Sequence, residues 1–190
     1  MTNKPTPEID ILIHVTAKKH KIPYTLLSAQ VQQESAFNPL AVSHCGARGL
    51  MQIMPLTWRD ITGQDADANN DIFDPEKNLA AGAKYLRRMR RAVTLFMTTL
   101  PTYAKHLAVC TEDDYWKFAL ASYNGGLGYV INAFNLCIGD NNVITWQTVR
   151  DLLDDVRLKT KSGRVLDPDD KQMIDYVEKI WTHYKGGSHE

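Results

Sequence analysis

The sequence predicts a mainly α-helical protein that folds as a single domain. Apolar residues recur at intervals of three and four along most of the chain, the spacing that places them on one face of a helix. The alternation of apolar and polar residues that indicates a strand is missing, apart from short pieces near Val143. Hydrophobic residues make up 44% and charged residues 23% of the 190 residues, so the chain can bury one substantial core.

Eight helices are predicted, and the residues at their ends explain the boundaries. Pro23 suits the first turn of the second helix, and Asn38-Pro39 is a stop signal for it, because a residue before proline avoids helical geometry. Asp74 suits the N-cap of the fourth helix, and Pro75 its first position. The predicted helices cover residues 9–19, 24–36, 55–61, 75–96, 112–122, 126–134, 145–155 and 169–184.

Both ends of the chain, residues 1–7 and 185–190, are predicted to be flexible. The apolar run near the N-terminus, Ile11 to Val15, is too short for a secretory signal, and no other segment approaches the length of a membrane span. We therefore expect a chain without a signal peptide and without a transmembrane segment.

The charges of the chain balance, because 22 Lys and Arg face 22 Asp and Glu, which gives a formal net charge of zero. A nucleic-acid-binding domain normally has a strong basic excess, so the composition argues against that class. We interpret the arginine run as a solvated helix face, with attraction to an anionic polymer or a lipid phosphate as the alternative. The run consists of Arg87, Arg88, Arg90 and Arg91. We expect the protein to be a monomer.

The three cysteines, Cys45, Cys110 and Cys137, have neither the spacing of a metal site nor the even number of a disulfide set. We interpret them as free thiols made in a reducing compartment, with a single Cys110–Cys137 bridge as the alternative. No pairing of cysteine with histidine indicates a thiol nucleophile.

One carboxylate falls on the apolar face of the second helix. Leu27, Val31 and Glu34 are spaced four and three residues apart, which stacks them on one side. A carboxylate usually avoids such a position, because removing its charge from water is costly. Two interpretations are open: a glutamate at the helix end whose side chain reaches solvent, or a desolvated acid with a raised pKa that donates a proton.

Two segments with several glycines contain polar side chains that are candidates for ligand binding. In SHCGARGLMQIMPLT, Gly46 and Gly49 bracket a turn. Gln52 of this segment is a single amide among apolar neighbours, so it belongs either to a core hydrogen-bond network or to a ligand contact. In LASYNGGLGYV, Tyr123 and Asn124 lie between a helix and a glycine-rich turn. A tyrosine ring has an apolar face and one hydroxyl, which suits stacking on a sugar.

Together these segments resemble the soluble lytic transglycosylases, lysozyme-like enzymes that cleave the glycan strands of peptidoglycan. ESAFNPLAVSHCGARGLMQIMPLT contains every element of the family pattern, and DIFDPEKNLAAGAKYL, ALASYNGGLGYV and MIDYVEKI resemble its later blocks in the same order. The resemblance covers roughly Ile9 to Ile180 and implies a lysozyme-like fold related to goose-type lysozyme. The chain departs from the family's more frequent residues at Ser122, Gly125 and Leu127, and segment 136–170 is less typical.

The resemblance implies a role for each matching residue. Glu34 corresponds to the family's single catalytic acid, which protonates the glycosidic oxygen between N-acetylmuramic acid and N-acetylglucosamine. The N-acetyl group of the substrate assists departure of the leaving sugar, and ionised Glu34 then takes the proton of the muramoyl C6 hydroxyl, which closes a 1,6-anhydro ring. Ser35 and Ser43 would hydrogen-bond around the acid and the acetamido group. The saccharide groove would be lined by Gln52, Met54, Tyr123, Asn124 and Tyr176.

Other assignments compete with this one. A goose-type lysozyme on the same fold would hydrolyse the bond with a second carboxylate, for which the sequence offers Asp60, Asp71 or Asp74. A peptidoglycan-binding phage structural module would have no activity, although the intact block around Glu34 argues against it. Among single residues, Met54 could be ordinary core packing, and Ser35 could be a helix-end hydroxyl bonded to its own backbone.

Peptidoglycan lies outside the cytoplasmic membrane, so an enzyme without a leader needs another route to it. We expect synthesis in the cytoplasm and action at the cell wall or in the periplasm. A phage endolysin or virion component would have such a route, and so would an enzyme that a secretion machine delivers.

The acidic segment DADANNDIFDPE, residues 65–76, nearly satisfies the pattern of a calcium loop. Its sixth position is Asn70, where such a loop prefers glycine, and capping of the fourth helix already explains its end. We therefore favour an acidic solvated loop and expect no cofactor. The alternative is a calcium site formed by Asp65, Asp67, Asn69, Asp71 and Glu76.

Overall fold

The computed structural model describes residues 4–67, 71–99, 101–107, 109–159, 165–166 and 170–186. In this part of the chain, nine α-helices provide nearly all of the regular structure, so the prediction of a mainly α protein is confirmed. None of the helices found there is both long enough and apolar enough to cross a lipid bilayer.

All eight predicted helices are present, and one short helix, α5, is additional. The helices are α1 (Pro7–His20), α2 (Tyr24–Ser35), α3 (Pro55–Thr62), α4 (Pro75–Thr99), α5 (Pro101–Ala104), α6 (Glu112–Gly125), α7 (Leu127–Gly139), α8 (Trp146–Leu152) and α9 (Asp170–Gly186). Single 3-10 turns cover Asp71–Phe73 and Leu153–Asp155. Strand β1 (Leu158–Lys159) pairs antiparallel with β2 (Val165–Leu166), whereas Val143, where strand-like pieces were expected, lies in a loop.

Side-chain caps fix where several helices begin. The Asp74 carboxylate accepts a hydrogen bond from the backbone N–H of Lys77 at 2.9 Å, and Pro75 is the first residue of α4, so both predictions for this helix end are confirmed. Thr111 and Asp114 form a reciprocal capping box at the start of α6. Such caps satisfy N–H groups that have no partner inside the helix.

The chain forms two compact units, one of Met1–Arg87 with Lys179–Glu190 and one of Arg88–Glu178. In the first unit, Leu27 and Val31 of α2 are fully buried together with Met51. Helix α4 comes so close to Met51 that a Cβ atom at Gly82 would lie 2.5 Å from the Met51 Cβ. The prediction of a single domain stays a prediction.

The core of the second unit is built on aromatic contacts between its helices. Phe118 of α6 meets Phe134 of α7 edge to face, with ring centroids 4.9 Å apart. Trp146, the first residue of α8, lies 6.2 Å from the Phe118 ring. Aromatic pairs at such separations contribute specific geometry as well as burial, so α6, α7 and α8 form one packed layer.

Helix α1 begins at Pro7 and α9 continues to Gly186, so both helices reach into the ends predicted to be flexible. Residues 1–3 and 187–190 lie outside the described part, and the flexibility of the two ends stays a prediction. All three cysteines are free, so the alternative Cys110–Cys137 bridge is wrong. Burial raises the pKa of the Cys110 thiol to about 12, which argues against a role as a nucleophile.

The arginine run on α4 is only partly a solvated face. Arg88 and Arg91 are exposed. Arg90, by contrast, forms an ion pair with Glu112 and holds its guanidinium carbon 4.6 Å from the centroid of the Trp116 ring. Arg90 therefore contacts side chains of the second unit itself. The exposed basic surface formed by the arginine run is correspondingly smaller than the sequence suggested.

Candidate active site

Glu34 lies in the last turn of α2, one residue before the helix ends at Ser35. Leu27 and Val31 on the same face are 0% exposed, and Glu34 is half-buried. The predicted stripe therefore exists, and its last member lies between the core and the surface. The last turn contains no basic residue, so no cation from α2 offsets a negative charge at this helix end.

The chain leaves α2 through two consecutive residues in the left-handed region, Ala36 (φ 50°) and Phe37 (φ 65°). This geometry costs a residue with a side chain about 1–2 kcal/mol. The turn is held by hydrogen bonds from the N–H of Ala36 to the carbonyl of Gln32 at 2.9 Å and from the N–H of Asn38 to that of Ser35 at 3.0 Å. Phe37 is only 8% exposed, so its burial offsets the strain and fixes the backbone next to Glu34.

The segment that follows, residues 41–53, folds back on itself in a hydrogen-bonded loop. Arg48 forms isolated antiparallel bridges with both Val42 and Ile53. The N–H of Gly49 donates to the carbonyl of Ala41 at 2.9 Å, and φ at Gly49 is 77°, a value that favours glycine. The glycine-bounded turn predicted here is confirmed.

Gln52 holds this loop through its side chain. Its Nε2 donates to the carbonyl of Gly49 at 3.0 Å and to that of Ala41 at 3.2 Å. Its own φ is 45°, so the residue adopts an uncommon backbone conformation. The amide nitrogen thus serves the structural network that the sequence offered as one of two interpretations, and the half-buried side chain lies at the edge of that network.

Asn78 of α4, which the sequence analysis missed, clamps the same loop. It is 0% exposed, and its Oδ1 accepts from the N–H of Met51 at 2.8 Å. Its Nδ2 donates to the carbonyls of Ile72 at 2.7 Å and Arg48 at 3.1 Å. A signal was available, because Asn78 is an amide one turn before Gly82 on the inward face of a helix, and a buried amide needs partners.

The other candidate residues of the first unit have distinct surroundings. The Ser35 hydroxyl donates to the carbonyl of Val31 at 3.2 Å, which is the backbone bond named as the alternative for this residue. The Ser43 hydroxyl accepts from the N–H of Ala47 at 3.0 Å. Met54 is 42% exposed just before α3, so ordinary core packing does not describe it.

Tyr123 and Asn124 belong to the second unit and lie in the last turn of α6. They were expected beyond the helix, but α6 continues to Gly125. Tyr123 is half-buried and Asn124 is exposed. Gly126, with φ of 102°, joins α6 to α7, which confirms the predicted glycine turn before a helix.

Helix α9 approaches the end of α6 at Gly125. A Cβ atom there would lie 2.2 Å from the Cε of Met173, so a side chain at this position would require Met173 to move. Tyr176, one turn after Met173 on α9, is 5% exposed. The second unit therefore brings together the two helices that carry its candidate residues.

The carboxylates proposed for a hydrolase or a calcium loop have partners within the protein. Asp71 pairs with Lys77 at 2.7 Å, and Asp67 pairs with Arg48 at 2.5 Å. Asp60 is exposed on α3, and Asn69, a member of the calcium pattern, lies outside the described residues. Within those residues, no three His, Cys, Asp or Glu side chains converge as a metal site would require.

Comparison with known proteins gives a family match over two thirds of the chain. The family described as the transglycosylase SLT domain matches residues 11–137. The chain is 30% identical over 189 residues to membrane-bound lytic murein transglycosylase F of Desulfosudis oleivorans, which covers 94% of this chain and 36% of the relative. The chain is 31% identical over 168 residues to the protein of the same name from Vibrio cholerae, a match that covers 85% of this chain and 28% of the relative. The chain thus spans about a third of the length of these relatives.

Solved structures agree on the fold. The 70 kDa soluble lytic transglycosylase of Escherichia coli superposes with a TM-score of 0.62 at 21% identity, covering 95% of this chain and 24% of that one. The lytic transglycosylase Slt of Pseudomonas aeruginosa gives a TM-score of 0.59 at 20% identity, with 93% and 24% covered. At these identities the likeness establishes the fold, which is the lysozyme-like fold that the sequence predicted.

Proposed function

The chain belongs to the transglycosylase SLT family, and we propose that it is a peptidoglycan lytic transglycosylase with Glu34 as its single acid and base. The bond cleaved is the β-1,4 linkage between N-acetylmuramic acid and N-acetylglucosamine, and the product is a 1,6-anhydromuramoyl end. The observation that carries this proposal is the position of Glu34, half-buried at the end of an otherwise buried helix stripe.

The proposed role requires that Glu34 be uncharged when the substrate binds, and two general effects would act in that direction. Partial burial disfavours the ionised form of a carboxyl group. The C-terminal end of a helix carries a partial negative charge, which disfavours an added negative charge. A carboxylic acid kept neutral near neutral pH can donate its proton to the glycosidic oxygen as the bond breaks.

After the leaving sugar departs, the same residue acts as a base. The acetamido group of the substrate assists departure, and ionised Glu34 accepts the proton of the muramoyl C6 hydroxyl. That oxygen closes the anhydro ring, so no water is consumed and the proton balance returns Glu34 to its starting state. The attacking hydroxyl belongs to the same sugar, and this proximity replaces a base that positions water.

Hydrolysis would need a second carboxylate to activate water or to form a covalent intermediate. Asp74 caps α4 through the N–H of Lys77, and Asp71 pairs with the ammonium group of the same lysine. These structural roles support the single-acid mechanism over the hydrolase.

The remaining assignments extend this proposal to the sugar-binding residues. Ser43 and Gln52 lie on the loop that follows α2, and Met54 presents a partly exposed side chain beside it. Tyr123, Asn124 and Tyr176 are the sugar-binding residues that we propose in the second unit. Because its hydroxyl already bonds to Val31, Ser35 would act by fixing the end of α2.

The test uses purified peptidoglycan and the variant Glu34→Gln. The amide keeps the shape of the side chain and has no acidic proton, so we expect activity to fall about a hundredfold or more. Glu8→Gln, an exposed change on α1, is the matched control and should leave activity intact. A Glu34→Gln variant that kept more than about a tenth of the activity would exclude Glu34 as the acid.

Mass spectrometry of the digest identifies the reaction. Anhydromuramoyl ends are one water lighter than the reducing ends that a lysozyme releases, so the two chemistries give different masses for the same disaccharide peptide. Dominant reducing ends would replace the transglycosylase assignment with a hydrolase. A digest without new ends of either kind would indicate a binding module.

A further inference from the structure

The first unit contains a cleft that none of the candidate active-site residues lines. It has a volume of about 460 Å³ and lies between the end of α1, helix α3 and the first half of α4. Trp58, Ile61 and Ala81 provide apolar wall, while Lys19, His20 and Lys84 provide basic groups. The cleft therefore combines an apolar surface with positive charge.

Two residues that line this cleft contain buried ring nitrogens. Trp58 is 1% exposed, and neither its indole Nε1 nor His20 Nε2 has a partner among the described residues. Both atoms are shielded from solvent, so these two residues offer the cleft ring surface, and the lysines offer its donors.

The charges around the cleft favour an anion. Burial, and after it the nearby charges of Lys19, Arg87 and Lys84, lower the pKa of His20, so three cationic side chains lie near this residue. The Lys84 ammonium group donates to the neutral carbonyl of Ile61 at 2.9 Å, a contact that does not compensate its charge. Lys77 contributes less, because it pairs with Asp71. No carboxylate is among the described residues that line the cleft.

We propose that this cleft binds a short peptide through a free carboxylate. The carboxylate would accept from the ammonium groups of Lys19 and Lys84, and the small side chain beside it would pack against Ile61, Ala81 and the Trp58 ring. An apolar wall beside these charges fits a carboxylate attached to an apolar body better than it fits an inorganic anion. The identity of the ligand rests on the proposed function: it is a stem peptide of peptidoglycan that carries a free carboxylate.

Titration of the full chain with acetyl-D-alanyl-D-alanine tests the proposal, because the indole N–H protons resolve separately in NMR spectra. We expect one of the four indole signals to shift, and the same signal to be missing in Trp58→Phe. The C-terminal amide of the same peptide should bind at least about tenfold more weakly, since it lacks the charge. Inorganic phosphate is titrated as a third ligand at the same ionic strength.

Lysine variants distinguish binding in the cleft from a general electrostatic attraction between the peptide and the protein surface. Lys84→Gln and Lys19→Gln should each raise the dissociation constant of the peptide about tenfold, the loss expected for one charge-assisted hydrogen bond. Lys18→Gln removes the same charge one residue from Lys19 and outside the cleft, so it should change the dissociation constant less than about twofold. These variants keep the test valid even if Trp58→Phe fails to fold.

Several results would overturn the proposal. They are no indole shift at tens of millimolar peptide, equal binding of acid and amide, equal losses in Lys18→Gln and Lys84→Gln, or a shift with phosphate alone. None of these measurements uses glycan strands. A chain that releases anhydro ends without binding the peptide therefore rejects only the cleft, whereas one that binds the peptide without cleaving peptidoglycan rejects the proposed function.

Discussion

Replacement of Asn78 by aspartate should destabilise the protein in a way that depends on pH. The substitution keeps the shape and the acceptor that Met51 uses. It removes the two N–H donations to the carbonyls of Ile72 and Arg48, at 2.7 and 3.1 Å, and places a carboxyl oxygen against them. The site is 0% exposed. Two lost hydrogen bonds at about 1 kcal/mol each, together with a buried charge facing carbonyl oxygens, give a loss of about 3–5 kcal/mol at pH 7.

The sign of the pH dependence follows from the same contacts. The carbonyl oxygens of Ile72 and Arg48 favour the protonated carboxyl group in the folded state, so its folded pKa rises above the unfolded value of about 3.9. A raised folded pKa stabilises the protein below the unfolded pKa, and this contribution is lost as pH rises through the folded pKa. Relative to the unsubstituted protein, Asn78→Asp should therefore regain stability between pH 7 and about pH 4.5.

Urea unfolding followed by far-ultraviolet circular dichroism at pH 7 and pH 5 measures this effect. Asn141→Asp makes the same chemical change at an exposed position and should alter the free energy of unfolding by less than about 0.5 kcal/mol. Asn78→Ala loses all three side-chain bonds without adding charge, so its loss should not depend on pH. Equal stability of Asn78→Asp and Asn141→Asp at pH 7, or a deficit of Asn78→Asp that acidification leaves unchanged, would contradict this prediction.

Four further outcomes are expected. Gly49→Ala should cost far more stability than Gly63→Ala, because φ is similar at both (77° and 76°) but the added Cβ would lie 2.3 Å from an amide nitrogen only at Gly49; equal losses in thermal melts would refute this. Of the three thiols, exposed Cys45 should react fastest with a disulfide reagent, and Cys45→Ser should abolish the fast phase. Tyr123→Phe should retain more lytic activity than Tyr123→Ala, since the ring keeps its contact area; equal losses would assign the role to the hydroxyl. Calorimetric titration with millimolar calcium should show no heat, and a measurable binding isotherm would establish a metal site in residues 65–76.

The sequence predicted elements whose signals are local. Helix α4 begins where Asp74 and Pro75 place it, because a cap and a first-turn proline act within three residues. The stripe of Leu27, Val31 and Glu34 follows from the helical repeat alone. The glycine turns were also predicted, since each depends on the conformation of one or two residues.

Features that depend on distant partners were missed. Asn78 bonds to groups 27 and 30 residues away in the chain, and no local pattern predicts which buried amide will find which backbone group. The glycine at position 125 is explained only by the close approach of Met173, which lies on another helix. The extension of α6 past Ser122 runs against the low helix propensity of glycine, so the contacts of the folded unit decide it.

Backbone strain near the candidate acid links the fold to the proposed chemistry. Among the described residues, five residues other than glycine have positive φ. Three of them lie in the segments that follow Glu34, namely Ala36, Phe37 and Gln52. Each left-handed residue costs about 1–2 kcal/mol, so the conformation persists only where other contacts enforce it. Burial of Phe37 and the two side-chain bonds of Gln52 provide such contacts. A proton donor gains most from a fixed position relative to the glycosidic oxygen, and a strained but enforced backbone is rigid for that reason. Substitutions that relax Phe37 should therefore lower activity before they lower stability enough to unfold the protein.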